Sequence, residues 1–272
     1  MKTLLKITLS LFILATLAGL QGCQKDELGT DVSELTDEQS SELKSQSMNT
    51  FYSSTVPVGN GVARAWINVN KNGEPNSVGI NLSGKALQNL PVEVTQYVLI
   101  LPKNKGQNFY THVLFDWNPH GHEGPNGVYE VPHFDVHFYT VSNTDRLAIP
   151  PLAPPNFDIP PASKYIPVLY VQGPGLVPEM GAHWLNVTSP ELNGQPFTHT
   201  FIWGSYSGEF IFWEPMITLD YLLTKPNGTF PISQPAAYQK DGWYASNYTI
   251  SYSESPKEYS ISLTNLTYHE GE

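Results

Sequence analysis

Hydrophobic and polar residues alternate along much of the chain from Gly59 onward, and a period of two predicts β-strands. Every second residue of the segment 61–69 is apolar, and the segment 78–82 alternates again after the turn-forming stretch Asn70-Lys71-Asn72-Gly73. Two such segments joined by a turn predict a β-hairpin. Further strands are predicted at 97–101, 109–117, 165–172, 198–203, 208–213, 243–252 and 258–266.

Few segments depart from strand patterning. We predict a helical turn over 83–90, a hairpin loop over 102–108 and one short helix over 216–223. Six prolines between Ile149 and Pro161 indicate either a rigid loop or a domain boundary. Because both halves share aromatic β patterning, we predict a single domain over 51–272. The expected fold is all-β, an antiparallel β-sandwich or barrel with one or two short helices.

Composition agrees with this fold and excludes some functions. Aromatic residues make up 12% of the chain and charged residues only 14%, as is typical of short strands joined by tight turns. Cys23 is the only cysteine, so neither an intramolecular disulfide nor a thiolate metal site can form. The net charge of −11 and the lack of a basic patch argue against a nucleic-acid partner. The sequence is compatible with a homo-oligomer.

The N-terminus carries an export signal. Lys2 and Lys6 precede a mainly apolar run of 14 residues over 7–20, and the run ends at Leu20-Gln21-Gly22-Cys23. This ending resembles the lipobox of bacterial lipoproteins, which implies removal of residues 1–22 and attachment of lipid to Cys23. The alternatives are an ordinary signal peptide or a membrane helix, but the run is shorter than the roughly 20 residues that span a bilayer. Membrane lipid is therefore an expected partner through Cys23.

The residues after Cys23 predict where the anchor is displayed. Gln24-Lys25-Asp26-Glu27 resembles the tag that sends Bacteroidetes lipoproteins to the outer face of the outer membrane, which implies an outer-membrane anchor with surface display. The simpler interpretation is a solvated spacer, because the segment 23–50 is acidic and poor in apolar residues. The two interpretations are compatible if residues 23–50 form a flexible acidic tether.

Candidate chemistry is concentrated between His120 and His137, where four of the eight histidines lie. In a strand, His133, Asp135 and His137 share one face, and the apolar residues between them share the other. A helix would instead place His133 and His137 one turn apart, but Pro132 and the aromatic density favour a strand. His120 and His122 also share a side if that segment is extended.

Two imidazole pairs on adjacent elements supply the nitrogen ligands that zinc, copper, iron and nickel prefer. We therefore predict a mononuclear site for a divalent transition metal, formed by His120, His122, His133 and His137 with His183 or Asp135 in support. Glu214 is a further candidate ligand. If the site keeps an open position, the metal could activate water for hydrolysis or bind an oxygen species. Catalytic residues are not predicted.

The alternative is a non-catalytic ligand-binding or assembly module in which a hydrogen-bonded histidine network is structural. In its favour, Glu123 follows His122 without completing an H-E-x-x-H zinc motif. Other catalytic templates fit poorly, since Tyr206 stands where a nucleophile elbow needs serine, and neither a phosphate loop nor a dinucleotide fingerprint is present. His112 and His199 lie in strand-like segments and are expected to be paired polar residues.

Several segments resemble a domain family of unknown function that is typified by an uncharacterised Thermus protein. The run Pro132-His133-Phe134-Asp135-Val136-His137-Phe138-Tyr139 is the most specific of them. The other segments are Gly59-Asn60-Gly61, Trp66, Gly73-Glu74-Pro75, Gly79, Ala86-Leu87, Leu90-Pro91, Gly121-His122-Glu123, Met180-Gly181-Ala182-His183-Trp184 and Glu214-Pro215-Met216-Ile217-Thr218. The resemblance implies an extracytoplasmic β domain and assigns no residue a role.

Overall fold

The structure, a computed structural model, describes residues 48–103, 109–150, 159–174 and 177–272. Strands dominate this part of the chain, and two short α-helices accompany them. The strands are β1 (Asn49–Tyr52), β2 (Val56–Val58), β3 (Gly61–Val69), β4 (Pro75–Ser83), β5 (Thr95–Ile100), β6 (His112–Asn118), β7 (His133–Tyr139), β8 (Tyr170–Gln172), β9 (Ala182–Asn186), β10 (His199–Tyr206), β11 (Glu209–Thr218), β12 (Asn227–Pro231), β13 (Gly242–Glu254) and β14 (Lys257–His269). The helices are α1 (Asn143–Leu147) and α2 (Leu219–Leu223).

These strands form two antiparallel sheets of seven strands each. The first sheet has the order β1-β3-β4-β14-β13-β12, with β2 also paired to β3, and the second has the order β5-β6-β7-β11-β10-β9-β8. A common apolar core contains Ala65 and Ile80 of the first sheet together with Phe115 and Phe134 of the second. Neither sheet closes on itself within the described residues. The all-β prediction is confirmed, in the form of a sandwich rather than a barrel.

Most predicted hairpins are present. Ala65 pairs with Ile80 in the hairpin of β3 and β4, as the alternation of apolar residues requires when both side chains enter the core. Strands β10 and β11 are joined by Ser207 and Gly208, which both have positive φ angles, as a tight hairpin turn demands. The long strands β13 and β14 pair along their whole length.

The predicted helix over 216–223 is wrong in its first half. Met216 and Thr218 continue β11, where they pair with Asp135 and His133 of β7. The helix α2 begins only after Thr218, whose hydroxyl accepts a hydrogen bond from the backbone N–H of Tyr221. Pairing with β7 therefore outweighs the local helical pattern.

The segment 84–89 consists of turns and bends, with the N–H of Ala86 bonded to the carbonyl of Ser83, which agrees with the helical turn predicted over 83–90. Another prediction needs correction. The predicted strand over 165–172 is reduced to β8, because Pro167 has no N–H to donate to a sheet and Leu169 has a positive φ angle.

Both faces of the second sheet are buried, and this positions the candidate site. The inner face packs on the first sheet, while α1 and the loops around Tyr129, Met180 and Phe197 cover the outer face. All residues of β6 and β7 are buried as a result. Polar residues on the outer face of these strands therefore lie beneath a layer of loops rather than in open solvent.

Several predictions concern residues outside the described part. They are the signal segment 1–22, the tether up to residue 47, the loop residues 104–108 and the proline-rich residues 151–158. At the end of the tether, Asn49 and Thr50 already pair with β3. No helix of the described residues is both long and apolar enough to cross a membrane.

Candidate metal centre

A stripe of polar side chains crosses the outer face of the second sheet. His133, Asp135 and His137 of β7 point to this face because alternate residues of the strand, Phe134 among them, enter the core. Asp116 of β6 lies directly opposite Asp135. One apolar cluster around Leu114 and Phe212 and another around Tyr129 and Met216 also lie on this outer face.

The first group of ligand atoms, here called the open triad, consists of His122, His133 and Asp135. Asp135 places one carboxylate oxygen 3.1 Å from His133 Nε2 and the other 3.4 Å from His122 Nε2. His133 is fully buried, whereas the side chain of His122 is 41% exposed. Asn118 donates a hydrogen bond of 2.7 Å to Asp135 Oδ2 and so fixes the carboxylate. The triad opens to solvent on the side of His122.

A tight turn brings His122 to the open triad. Gly121 has a φ angle of +71°, and a Cβ atom there would lie 2.1 Å from the carbonyl oxygen of Tyr129. The N–H of His122 donates to that same oxygen. Tyr129 is held in turn by Glu191, whose carboxylate accepts a hydrogen bond from its hydroxyl. Only glycine allows this close approach at position 121.

The second group, here called the closed triad, consists of His137, His183 and Glu214. Glu214 places one carboxylate oxygen 3.3 Å from His137 Nε2 and the other 3.6 Å from His183 Nε2. The side chains of His137 and Glu214 are each 2% exposed and that of His183 is 18% exposed. All three ligands lie on strands, namely β7, β9 and β11.

The tautomers of three histidines suit a metal. The Nδ1 atoms of His122, His133 and His137 lie 2.9, 2.7 and 3.3 Å from backbone carbonyl oxygens. Because a carbonyl oxygen only accepts, each Nδ1 carries the hydrogen, and a neutral ring then has its lone pair on Nε2. These Nε2 atoms are the ones that face the carboxylates. Metal-binding histidines are held in the same way.

Two of the carboxylate oxygens in the triads face a histidine without forming a hydrogen bond to it. His133 Nε2 and Asp135 Oδ1 lie 3.1 Å apart, yet neither atom has a hydrogen-bond partner, and Glu214 Oε2 is also buried without one. Two ligands about 2.0–2.1 Å from a tetrahedral zinc ion are about 3.3 Å apart, against about 2.9 Å for a hydrogen bond. The observed separations of 3.1 to 3.6 Å lie around the metal spacing, and three of the four are 3.3 Å or longer.

The two triads differ in charge when no metal is bound. Burial raises the pKa of Glu214 well above its usual range, helped by the negative charges of Asp135 and Asp116, and burial lowers the pKa of His137 to about 4. Burial thus favours the uncharged forms of both Glu214 and His137. In the open triad burial favours neutral Asp135, but His133 and His122 outweigh it and hold the pKa of Asp135 below its usual value.

The pKa of His122 is shifted upward, opposite to that of Asp135. Burial lowers the pKa of His122, but the polar contact with Asp135 and the charge of that carboxylate raise it more, so the net pKa is above the usual value. Asp116, across the ladder from Asp135, has its pKa raised to about 8 by burial and by the charge of Asp135. Gln96 donates a hydrogen bond to one oxygen of Asp116. The shifts of Asp135 and His122 thus both favour the charged forms, beside an Asp116 carboxyl whose pKa of about 8 favours the protonated form near pH 7.

The structure divides the single four-histidine site expected from the sequence into two groups of three. His122 and His133 fall in the open triad with Asp135, while His137 and His183 fall in the closed triad with Glu214. His120 is exposed and lies in neither group. His133 and His137 belong to different groups because they are four residues apart on β7, and every two residues along a strand move a side chain by about 7 Å.

His112 and His199, which were expected to be paired polar residues, each have one polar partner at Nδ1. Nδ1 of His112 lies 2.9 Å from the hydroxyl of Thr111, and Nδ1 of His199 lies 2.8 Å from the hydroxyl of Tyr248. Sequence reasoning missed Asp116, Asn118 and Gln96. Asp116 and Asn118 alternate with Val113, Phe115 and Trp117, so the strand pattern itself contained the signal for the first two.

One of three comparisons with known proteins gave a match. The profile of the TTHB210-like family, described as "Hypothetical protein TTHB210", matches residues 70–117. This confirms the suspected resemblance for that part of the chain, which runs from the turn after β3 into β6 and contains no residue of either triad. No curated protein and no solved structure matched the chain.

Proposed function

We propose that this chain is a lipid-anchored extracytoplasmic protein that binds a divalent transition metal ion at the open triad. The observation that carries the metal proposal is the pair of buried atoms His133 Nε2 and Asp135 Oδ1, which face each other 3.1 Å apart without a hydrogen bond. Leaving two buried polar atoms unsatisfied costs about 1–3 kcal/mol each. A cation between them removes that cost.

Two histidines and one carboxylate form the ligand set that proteins use for accessible zinc and non-haem iron sites. Such a set leaves at least one coordination position, and the exposed edge of His122 places it toward solvent. Zinc is the first candidate because three ligands near tetrahedral spacing suit it, with iron, copper and nickel as competitors. Asn118 supports this role because its hydrogen bond to Asp135 Oδ2 holds the carboxylate in place.

Zinc uptake by the full chain, purified without a polyhistidine tag, tests the proposal. After dialysis against zinc, elemental mass spectrometry is expected to find zinc that His122→Ala loses in part. The matched control is His120→Ala, because His120 lies in the same turn, is exposed and belongs to neither triad. Equal zinc content in wild type and His122→Ala, or no uptake by either protein, would contradict the proposal.

The membrane part of the proposal depends on the lipobox ending at Cys23. The lipid on its sulfur and further acyl chains would make the anchor stable, since one chain alone binds membranes only weakly. Replacing Cys23→Ser is expected to move the protein from the membrane fraction to the soluble fraction. An unchanged membrane fraction for Cys23→Ser would contradict lipidation at this residue.

The competing function is a ligand-binding or assembly module with a structural histidine network. One contact favours it, because a protonated Glu214 can donate to the neutral Nε2 of His137 at 3.3 Å. This interpretation predicts no zinc in either triad and unchanged melting when zinc is added. The zinc measurement above separates the two functions.

A further inference from the structure

Glu214 is a buried carboxyl group on the outer face of the second sheet. Its side chain is 2% exposed, and no lysine or arginine of the described chain forms an ion pair with it. One of its oxygens is buried without a hydrogen-bond partner. Burial of a carboxyl group is costly unless a cation or several hydrogen bonds compensate it. The partners it does face are the Nε2 atoms of His137 and His183.

A glycine in the strand between β11 and β9 leaves room for these three side chains to lie close together. Strand β10 lies between β11 and β9 in the sheet. Its Gly204 pairs with Phe212 on one side and with His183 on the other. A Cβ atom at Gly204 would lie 1.9 Å from the ring of Phe212. That ring lies 5.1 Å from the imidazole of His137 and 5.1 Å from that of His183. The missing side chain therefore lets one aromatic ring contact and orient both histidines.

We infer that His137, His183 and Glu214 bind a second divalent transition metal ion, distinct from the ion of the open triad. This second ion links β7, β9 and β11 and exchanges slowly. The inference does not depend on metal in the open triad, because the two groups share no residue. Ligand separations of 3.3 and 3.6 Å fit a tetrahedral ion.

Slow exchange follows from where the ligands lie. Every ligand of the closed triad is on a strand of the same sheet, and two of them are almost completely buried. Release of this ion requires the sheet or its cover to open, and such opening is rarer than loop motion. The open triad instead depends on His122, which lies in an exposed turn. The two ions are thus expected to leave at different rates.

The test is the release of zinc from the loaded full chain into the chromogenic chelator 4-(2-pyridylazo)resorcinol. Wild type is expected to release zinc in two phases of equal amplitude. His122→Ala removes the fast phase, while Glu214→Gln and His183→Ala each remove the slow phase. The glutamine variant is the sharpest, because its amide keeps the size of glutamate and can still donate to His137 Nε2. Circular dichroism confirms that each variant is folded.

Each outcome decides a different claim. A slow phase that persists in both Glu214→Gln and His183→Ala would overturn the second site and leave the open triad intact. A wild-type protein with one phase only, abolished by His122→Ala, would do the same. If His122→Ala changes nothing while Glu214→Gln removes all zinc, the closed triad stands and the open triad fails. Wild type without zinc would overturn both.

Discussion

The open and closed triads contain the same ligand types, two histidines and one carboxylate, and both use strand β7, yet their surroundings differ. The open triad takes one histidine from a turn, and that ring is 41% exposed. The closed triad takes all three ligands from strands, and its carboxylate is 2% exposed. The source of the third ligand therefore decides how accessible each site is. Exchange rate, stability and response to pH should differ accordingly.

The largest effect is expected for His133→Ala. This substitution leaves a cavity and removes the partner of the Val131 carbonyl and of Asp135. We expect the free energy of unfolding to fall by about 3–4 kcal/mol and zinc to be lost from the open triad. Denaturant unfolding and zinc analysis measure the two effects. His120→Ala serves as the control and should stay within about 0.5 kcal/mol of wild type.

The stabilisation by a single zinc ion should be the next largest effect. At a free concentration about 100 times the dissociation constant, each occupied site adds about 2.7 kcal/mol and raises the melting temperature by about 5–10 °C. His122→Ala and Glu214→Gln should each lose one of the two contributions in thermal melts with and without a chelator. Full zinc stabilisation in Glu214→Gln would remove the distinction between the triads.

Gly204→Ala is expected to affect the closed triad alone. The added methyl group collides with the ring of Phe212, which must shift away from His137 and His183. Overpacking of this kind costs about 1–3 kcal/mol. In the chelator experiment this variant should lose or accelerate the slow phase and keep the fast one. Disturbance of the fast phase instead would mean that the triads are not independent.

The smallest effect concerns pH in the metal-free protein. A raised pKa of Glu214 in the folded state gives stability that is fully present below its ordinary value of 4.5 and is lost as the pH rises toward the folded pKa. Glu214→Gln cannot ionise and avoids this loss. The melting temperature of the variant should therefore rise relative to that of wild type as the pH increases above about 4.5. A variant whose melting temperature falls relative to that of wild type over this range would contradict a protonated Glu214.

Local pattern accounts for much of the fold and for part of the site. The alternation of β7 predicted both the strand and the common face of His133, Asp135 and His137, because the side-chain period of a strand follows from backbone geometry. The prediction for residues 216–223 failed because pairing with β7 is a long-range interaction that local pattern does not report.

The division into two triads could not be predicted from the sequence. His183 reaches Glu214 only because β9 lies two strands away from β11 across the glycine of β10, and strand order is not encoded in local pattern. The burial of the outer face was also hidden, since loops that cover it have no periodic signal. Turn geometry around Gly121, not spacing, brings His122 rather than His120 to Asp135.

The most direct test of the central claim is anomalous X-ray diffraction at the zinc absorption edge from crystals of the zinc-loaded protein. A peak is expected about 2.0–2.2 Å from His122 Nε2, His133 Nε2 and a carboxylate oxygen of Asp135. Those three side chains in direct contact with one another, with no anomalous peak between them in zinc-saturated crystals, would contradict the claim.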